Sequence, residues 1–110
     1  MSVREEYHGL TGFKRDLLVA AAEEETPYGL ALKRNLESKY GVEIYHSRLY
    51  QNLGDLARIG FLEKGEIDDR TNEYLLTSKG FLALEVGRSE HADAMEERPE
   101  RAAADGGDSA

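Results

Sequence analysis

Apolar positions recur at helical spacing over much of residues 10–59, gather into two short runs after residue 60, and return in a helix after residue 77. In residues 11–25, Phe13, Leu17, Ala20 and Ala21 continue a stripe begun by Leu10, which predicts a helix with Thr11 as its N-cap. Leu18 and Val19 broaden that stripe, so this helix should be covered on more than one side. Glu23, Glu24 and Glu25 oppose the helix dipole at its C-terminal end and mark the exit. Thr26-Pro27 has the form of a helix start and opens a second helix that runs to Tyr40. Tyr28, Leu32, Leu36 and Tyr40 are expected inward, Lys33 and Arg34 outward, and Gly41 ends it.

A short extended piece, residues 42–45, leads to a third helix over residues 46–59. Leu49, Leu53, Leu56 and Ala57 form its inner stripe, with Tyr50 on the flank. Ser47, Arg48, Gln51, Asp55 and Arg58 lie opposite, Asn52 at the border, and Gly60 closes the helix. Residues 61–67 and 72–77 then read as two strands joined by the turn cluster Asp68-Asp69-Arg70-Thr71. Thr77 or Ser78 caps a fourth helix, whose apolar residues Phe81, Leu82, Leu84 and Val86 thin out beyond Gly87. The expected organisation is an N-terminal arm (1–9), one domain (10–97) and an acidic, disordered tail (98–110). The fold class is α+β, mostly α, in the order helix, helix, helix, hairpin, helix.

Two helices on a short link followed by a two-stranded wing make a winged helix-turn-helix. The second helix of such a pair enters the DNA major groove with its N-terminal residues at the base edges. On residues 46–59, Arg48 suits guanine, and Gln51 and Asn52 suit adenine.

Charge complicates this picture. The chain of 110 residues carries 22 acidic and 14 basic side chains, a net charge of −8, the wrong sign for a nucleic-acid binder. Arg outnumbers Lys nine to five. Abundant carboxylates with few lysines suit a protein that stays soluble in molar salt, where the Debye length falls to ~3 Å and self-repulsion is screened. An ordinary acidic cytosolic protein is the alternative. The acid is also unevenly placed. Residues 89–110 contribute −5, whereas 26–36 and 44–54 hold no acid and carry Lys33, Arg34, His46 and Arg48.

Other chemistries find little support. There is no cysteine for a disulfide, thiolate metal site or nucleophile. His8, His46 and His91 are scattered, so no metal site and no cofactor are expected. The glycines form no phosphate-cradling loop, and no enzyme is expected. No segment approaches the ~20 apolar residues of a membrane span, and no secretion signal opens the chain, so a soluble cytoplasmic protein is expected.

Four segments in order carry a family likeness: Tyr28-Gly29-Leu30-Ala31-Leu32, Arg48-Leu49-Tyr50-Gln51-Asn52-Leu53, Gly60-Phe61-Leu62 and Arg70-Thr71-Asn72-Glu73-Tyr74-Leu75-Leu76-Thr77. Together they resemble the PadR family of winged-helix regulators, and most of all its acidic members and phage-repressor-like proteins of halophilic archaea. The resemblance implies a sequence-specific transcriptional regulator, a repressor by expectation, bound as a homodimer to a pseudo-palindromic operator in double-stranded DNA. It implies DNA contact from Ser47, Arg48, Tyr50 and Gln51 and wing contact near Arg70. Lys33, Arg34, His46, Asn52 and Lys64 complete the expected DNA-facing set. The terminal helices would form the dimer, through Phe13, Leu17, Leu18, Phe81, Leu82 and Val86. The chain departs from the family in four places, one of them the early loss of the apolar stripe in the fourth helix. Gln51 stands where proline usually follows Leu-Tyr, Tyr45-His46 replaces Ser-Pro, and Asp68-Asp69 holds the usually basic wing tip. A winged helix used for protein–protein assembly is the competing function, since fold alone does not fix function. That version should expose apolar residues on the outward face of 46–59.

Overall fold

The computed structural model describes residues 1–97 and Ala103. Seven elements follow one another: α1 (Val3–His8), α2 (Gly12–Glu23), α3 (Gly29–Tyr40), α4 (His46–Ile59), β1 (Leu62–Asp68), β2 (Thr71–Leu76) and α5 (Ser78–Glu97). The acidic tail expected over 98–110 lies outside the described residues, Ala103 excepted.

The core is built mainly from leucines of different helices. Leu17 and Leu18 of α2, Leu32 and Leu36 of α3, and Leu49, Leu53 and Leu56 of α4 meet Phe61 and Leu62 at the root of the hairpin. All are essentially sealed from solvent, and each such side chain contributes about 2 kcal/mol on leaving water. Helices α3 and α4, joined through residues 41–45, are the helix-turn-helix, and β1 and β2 are the antiparallel wing. Gly41 and Gly60 end α3 and α4 in the left-handed region, at φ 75° and 95°, where a Cβ would be strained.

Local expectations and structure differ where a distant segment intervenes. Helix α3 begins at Gly29, later than the Thr26-Pro27 pair suggests. The Pro27 carbonyl accepts the Tyr74 N–H at 2.8 Å, and Tyr28 forms an antiparallel bridge with Glu73. Residues 27–28 are thereby held extended against the wing. Tyr40 is not turned inward. It stays exposed, and its hydroxyl donates to Asp16. Partial burial first, and Asp16 second, push the phenol up to about 12.

Residues 1–9, expected as an arm, contain a capped helix. The Ser2 hydroxyl accepts the Glu5 N–H at 3.1 Å, and the Glu5 carboxylate accepts the Ser2 N–H at 2.9 Å. These hydrogen bonds hold the Glu5 carboxyl below its ordinary pKa. Tyr7 is buried against α5, where a Cβ on Gly87 would overlap its hydroxyl. On the same side Glu90 receives Arg4 at 2.5 Å and His8 Nε2 at 3.0 Å.

Helix α5 also runs further than its apolar stripe suggests, ten residues past Gly87. The Thr77 hydroxyl caps it, accepting the Gly80 N–H at 3.0 Å and donating to the Gly60 carbonyl at 2.6 Å. Lys79 is a junction. Its ammonium donates to the Ile59 carbonyl of α4 at 2.7 Å, pairs with Glu6 of α1 at 3.0 Å, and lies over the Phe61 ring. No helix among the described residues is long and apolar enough to cross a membrane.

Candidate nucleic-acid interface

The bounds of α4 coincide with those its apolar stripe predicts, residues 46–59. With Leu49, Leu53 and Leu56 fixed in the core, a period of 3.6 residues sends Ser47, Gln51, Gly54 and Arg58 outward. Ser47, Gln51 and Arg58 are exposed, and Arg58 pairs along the helix with Asp55. Asp55 also receives Lys14 of α2 at 3.2 Å, which fastens the flank of α4 to the body. No acid stands in the first turn of α4, and Tyr45 caps it without a side-chain hydrogen bond.

The two flanks of α4 differ. On one, the Arg48 guanidinium rests 3.9 Å from the centre of the Phe13 ring. It makes no ion pair among the described residues and remains exposed. On the other, His46 stacks parallel to Tyr50 at 5.9 Å, and Tyr50 tilts against Tyr74 at 6.5 Å. The Tyr50 hydroxyl occupies the space that a side chain on Gly29 would need. That explains the Tyr-Gly pair at the start of α3 in packing terms: Gly29 is small so that Tyr50 fits. Burial chiefly, and Tyr50 next, raise the Tyr74 phenol above its ordinary pKa.

Between the start of α3, the Tyr50 flank and the wing lies a cleft of about 420 Å³. Arg70, Thr71 and Asn72 form its wing side and Tyr28, Gly29 and Leu30 its helical side. Asp68 is used within the wing tip. Its carboxylate accepts the Arg70 N–H at 2.9 Å, which holds its pKa down. Arg34, Lys64 and Arg70 are exposed without an ion-pair partner among the described residues.

Several residues of the expected set are occupied elsewhere. Lys33 does not stand free: its ammonium meets Glu37 at 2.7 Å. Glu37 in turn accepts the Ile44 N–H at 2.9 Å, and Lys33 first and Ile44 second hold its carboxyl below the usual range. Asn52 turns back on its own helix, where its amide donates to the Arg48 carbonyl at 2.7 Å. Leu17 and Leu18 have no exposed surface at all, and Phe13 has little. Helices α3, α4 and α5 and strand β2 of this same chain pack against α2, so these three residues have almost no surface to lend a second copy. Phe81 and Leu82 of α5 are 59% and 57% exposed, and Val86 is half-buried. The cleft residues Thr71 and Asn72 carried the family likeness in sequence but were not among the expected DNA-facing residues.

The family model described as the transcriptional regulator PadR-like family matches residues 17–86, a span that includes α3, α4 and the wing. The chain belongs to the PadR-like family. Comparison with curated protein sequences returns no match. Among solved structures, this PadR-like chain is similar to the complex structure hsRosR-S4. The identity is 42% and the TM-score 0.84, over 91% of this chain and 86% of that one. RosR of H. salinarum, grown from NaBr, shares 44% identity with a TM-score of 0.78 over 84% of each chain. The PcaV transcriptional regulator from Streptomyces coelicolor, in complex with its natural ligand, is 18% identical, with a TM-score of 0.54 over 83% of this chain and 65% of that one. That likeness bears on the winged-helix fold alone. The Leu-Tyr pair of α4 has a packing role, Leu49 in the core and Tyr50 against Gly29.

Proposed function

We propose that the protein binds double-stranded DNA as a homodimer and represses transcription from a pseudo-palindromic operator. The observation that carries this reading is the outward face of α4, which presents Ser47, Gln51 and Arg58 and no large apolar side chain. A helix used for protein assembly would present apolar residues there. The major groove, ~12 Å wide, admits one helix of this diameter. Ser47 and Gln51 then face base edges, while Arg48 lifts from Phe13 to a guanine, giving up a cation–π contact of about 0.5–1 kcal/mol. Arg34, Lys64 and Arg70 serve phosphates, and Tyr50, with His46 stacked on it, lines the approach from the wing side.

The dimer surface in this reading is the exposed side of α5. Phe81, Leu84 and Gly87 border an apolar groove of about 400 Å³ shared with Tyr7 of α1 and Val19 of α2, and rimmed by Arg88 and His91. A small domain gains core by pairing such faces. The −8 charge and the likeness to RosR of H. salinarum together support a cytoplasm rich in salt as its setting.

Genome-wide pull-down of bound DNA tests the proposal, since it yields sites and half-site spacing together. Recovery of no enriched, two-fold related sequence would overturn it. On the operator so found, Gln51→Ala is expected to lose about 1–3 kcal/mol and relax base preference at one position per half-site. Arg34→Ala should instead weaken all sequences evenly, as a phosphate contact does. Binding titrations against a panel of single-base operator variants separate the two patterns.

A further inference from the structure

Glycine inside a helix is destabilising, because it gains no side-chain packing and loses more backbone freedom than any other residue. Most helical glycines of this chain have a visible reason. A Cβ on Gly29 would strike Tyr50, one on Gly80 the Phe61 carbonyl and the Leu76 side chain, and one on Gly87 the Tyr7 hydroxyl. Gly12 has open space, but it is the first residue of α2.

Gly54 is different. It lies in the interior of α4, eight residues from its start and five from its end, and its backbone is not in the left-handed region. Among the described residues the one neighbour within 4 Å of its would-be Cβ is the tip of Arg58, at 3.7 Å, an ordinary van der Waals distance with a movable group. Nothing among the described residues requires a glycine there. Its position is on the outward stripe, between Gln51 and Arg58.

A helix with its side chains is about 10–12 Å across, so it fills the ~12 Å major groove with little to spare. A missing side chain on the outward stripe creates a notch, through which the backbone can come closer to a base-pair edge. We infer that Gly54 is a specificity-determining position: its bare backbone seats α4 deeply enough for Gln51 to reach its base. This inference rests on the DNA-binding function proposed above and adds a residue to it.

The test pairs stability with binding. Duplexes carrying the operator, and unrelated duplexes of equal length, are titrated with wild type, Gly54→Ala and Gly54→Leu, and each protein is melted. Gly54→Ala is expected to melt about 4 °C higher, because alanine is the better helix former. It should nevertheless bind the operator about tenfold more weakly, with affinity for unrelated DNA nearly unchanged. Gly54→Leu, also a good helix former, should lose more still, in proportion to its bulk. Operator binding as tight as wild type in both variants overturns the inference, and so does a lowered melting temperature in Gly54→Ala, which would mean the fold itself needs the glycine. Should wild type fail to prefer the operator, the DNA-binding proposal falls first, an outcome distinct from equal binding by all three proteins.

Discussion

Operator binding is expected to survive molar KCl, with a shallow or even positive slope of log affinity against log salt. Among the described residues the unpaired cations on the candidate interface are few: Arg34, Arg48, Lys64 and Arg70, since Lys33 is tied to Glu37. Were those eight charges of a dimer to meet phosphates unopposed, counterion release would give a slope of about −7 and abolish binding in molar salt. Carboxylates lie on the same elements: Glu43 before α4, and Glu66, Asp68 and Asp69 on the wing, all exposed. On approach to DNA they take up cations, which offsets the cations the phosphates release. Replacing Asp68 and Asp69 by Lys removes that uptake and adds phosphate contacts, so the double variant should become steeply salt-sensitive. Asp68 also holds the wing turn through the Arg70 N–H, so Asp69→Lys alone serves as the variant that leaves the turn intact. A steep loss of binding in the wild type, unchanged by either variant, would show that the acidic surface plays no part.

Phe81→Asp and Leu82→Asp are expected to convert the protein to a monomer that stays folded. Both side chains are more than half exposed in the single chain, so a charge there leaves the core untouched, whereas in a dimer it would be buried without a partner. Losing the second subunit removes the linked half-site, and with it a factor of about 10²–10⁴ in operator affinity. Light scattering at high salt reads the mass, and the same titration reads the affinity. A variant that keeps a dimer mass would place the interface elsewhere. Leu17 and Leu18 could not serve in this experiment, because a charge there would destroy the core itself.

What the sequence made legible follows from how local each feature is. Helix α4 was readable to the residue because Leu49, Leu53 and Leu56 repeat at helical spacing and Gly60 supplies its left-handed end. The wing was readable because two β-rich runs flank a turn cluster, and only the strand ends moved. The start of α3 was not, because the carbonyl of Pro27 is claimed by Tyr74 from nearly fifty residues away. Helix α1 escaped for a similar reason, since its one large buried side chain, Tyr7, is anchored opposite Gly87 of α5.

The site was legible in its placement and less so in its occupancy. Periodicity told which side chains leave the core of α4, and Ser47, Gln51 and Arg58 do face outward. It could not tell that Asn52 would fold back on Arg48, that Lys33 would be neutralised by Glu37, or that Arg48 would lie on Phe13. Nor can an apolar stripe say whether its cover comes from the same chain or from a second copy. For Leu17 and Leu18 of α2 the cover is the chain itself, whereas Val19, expected to be covered, stays exposed.

The Lys79 junction gives the molecule a mechanical property. One ammonium holds the last turn of α4, the side of α1 and the first turn of α5 at once. Through that side chain the base of α5 is linked to the end of the outward-facing helix. In a two-fold assembly built on α5, the pitch of one subunit against the other would act as a caliper, setting the gap between the two α4 helices. Any event that wedges the α5 groove open would then be felt as a change in that gap.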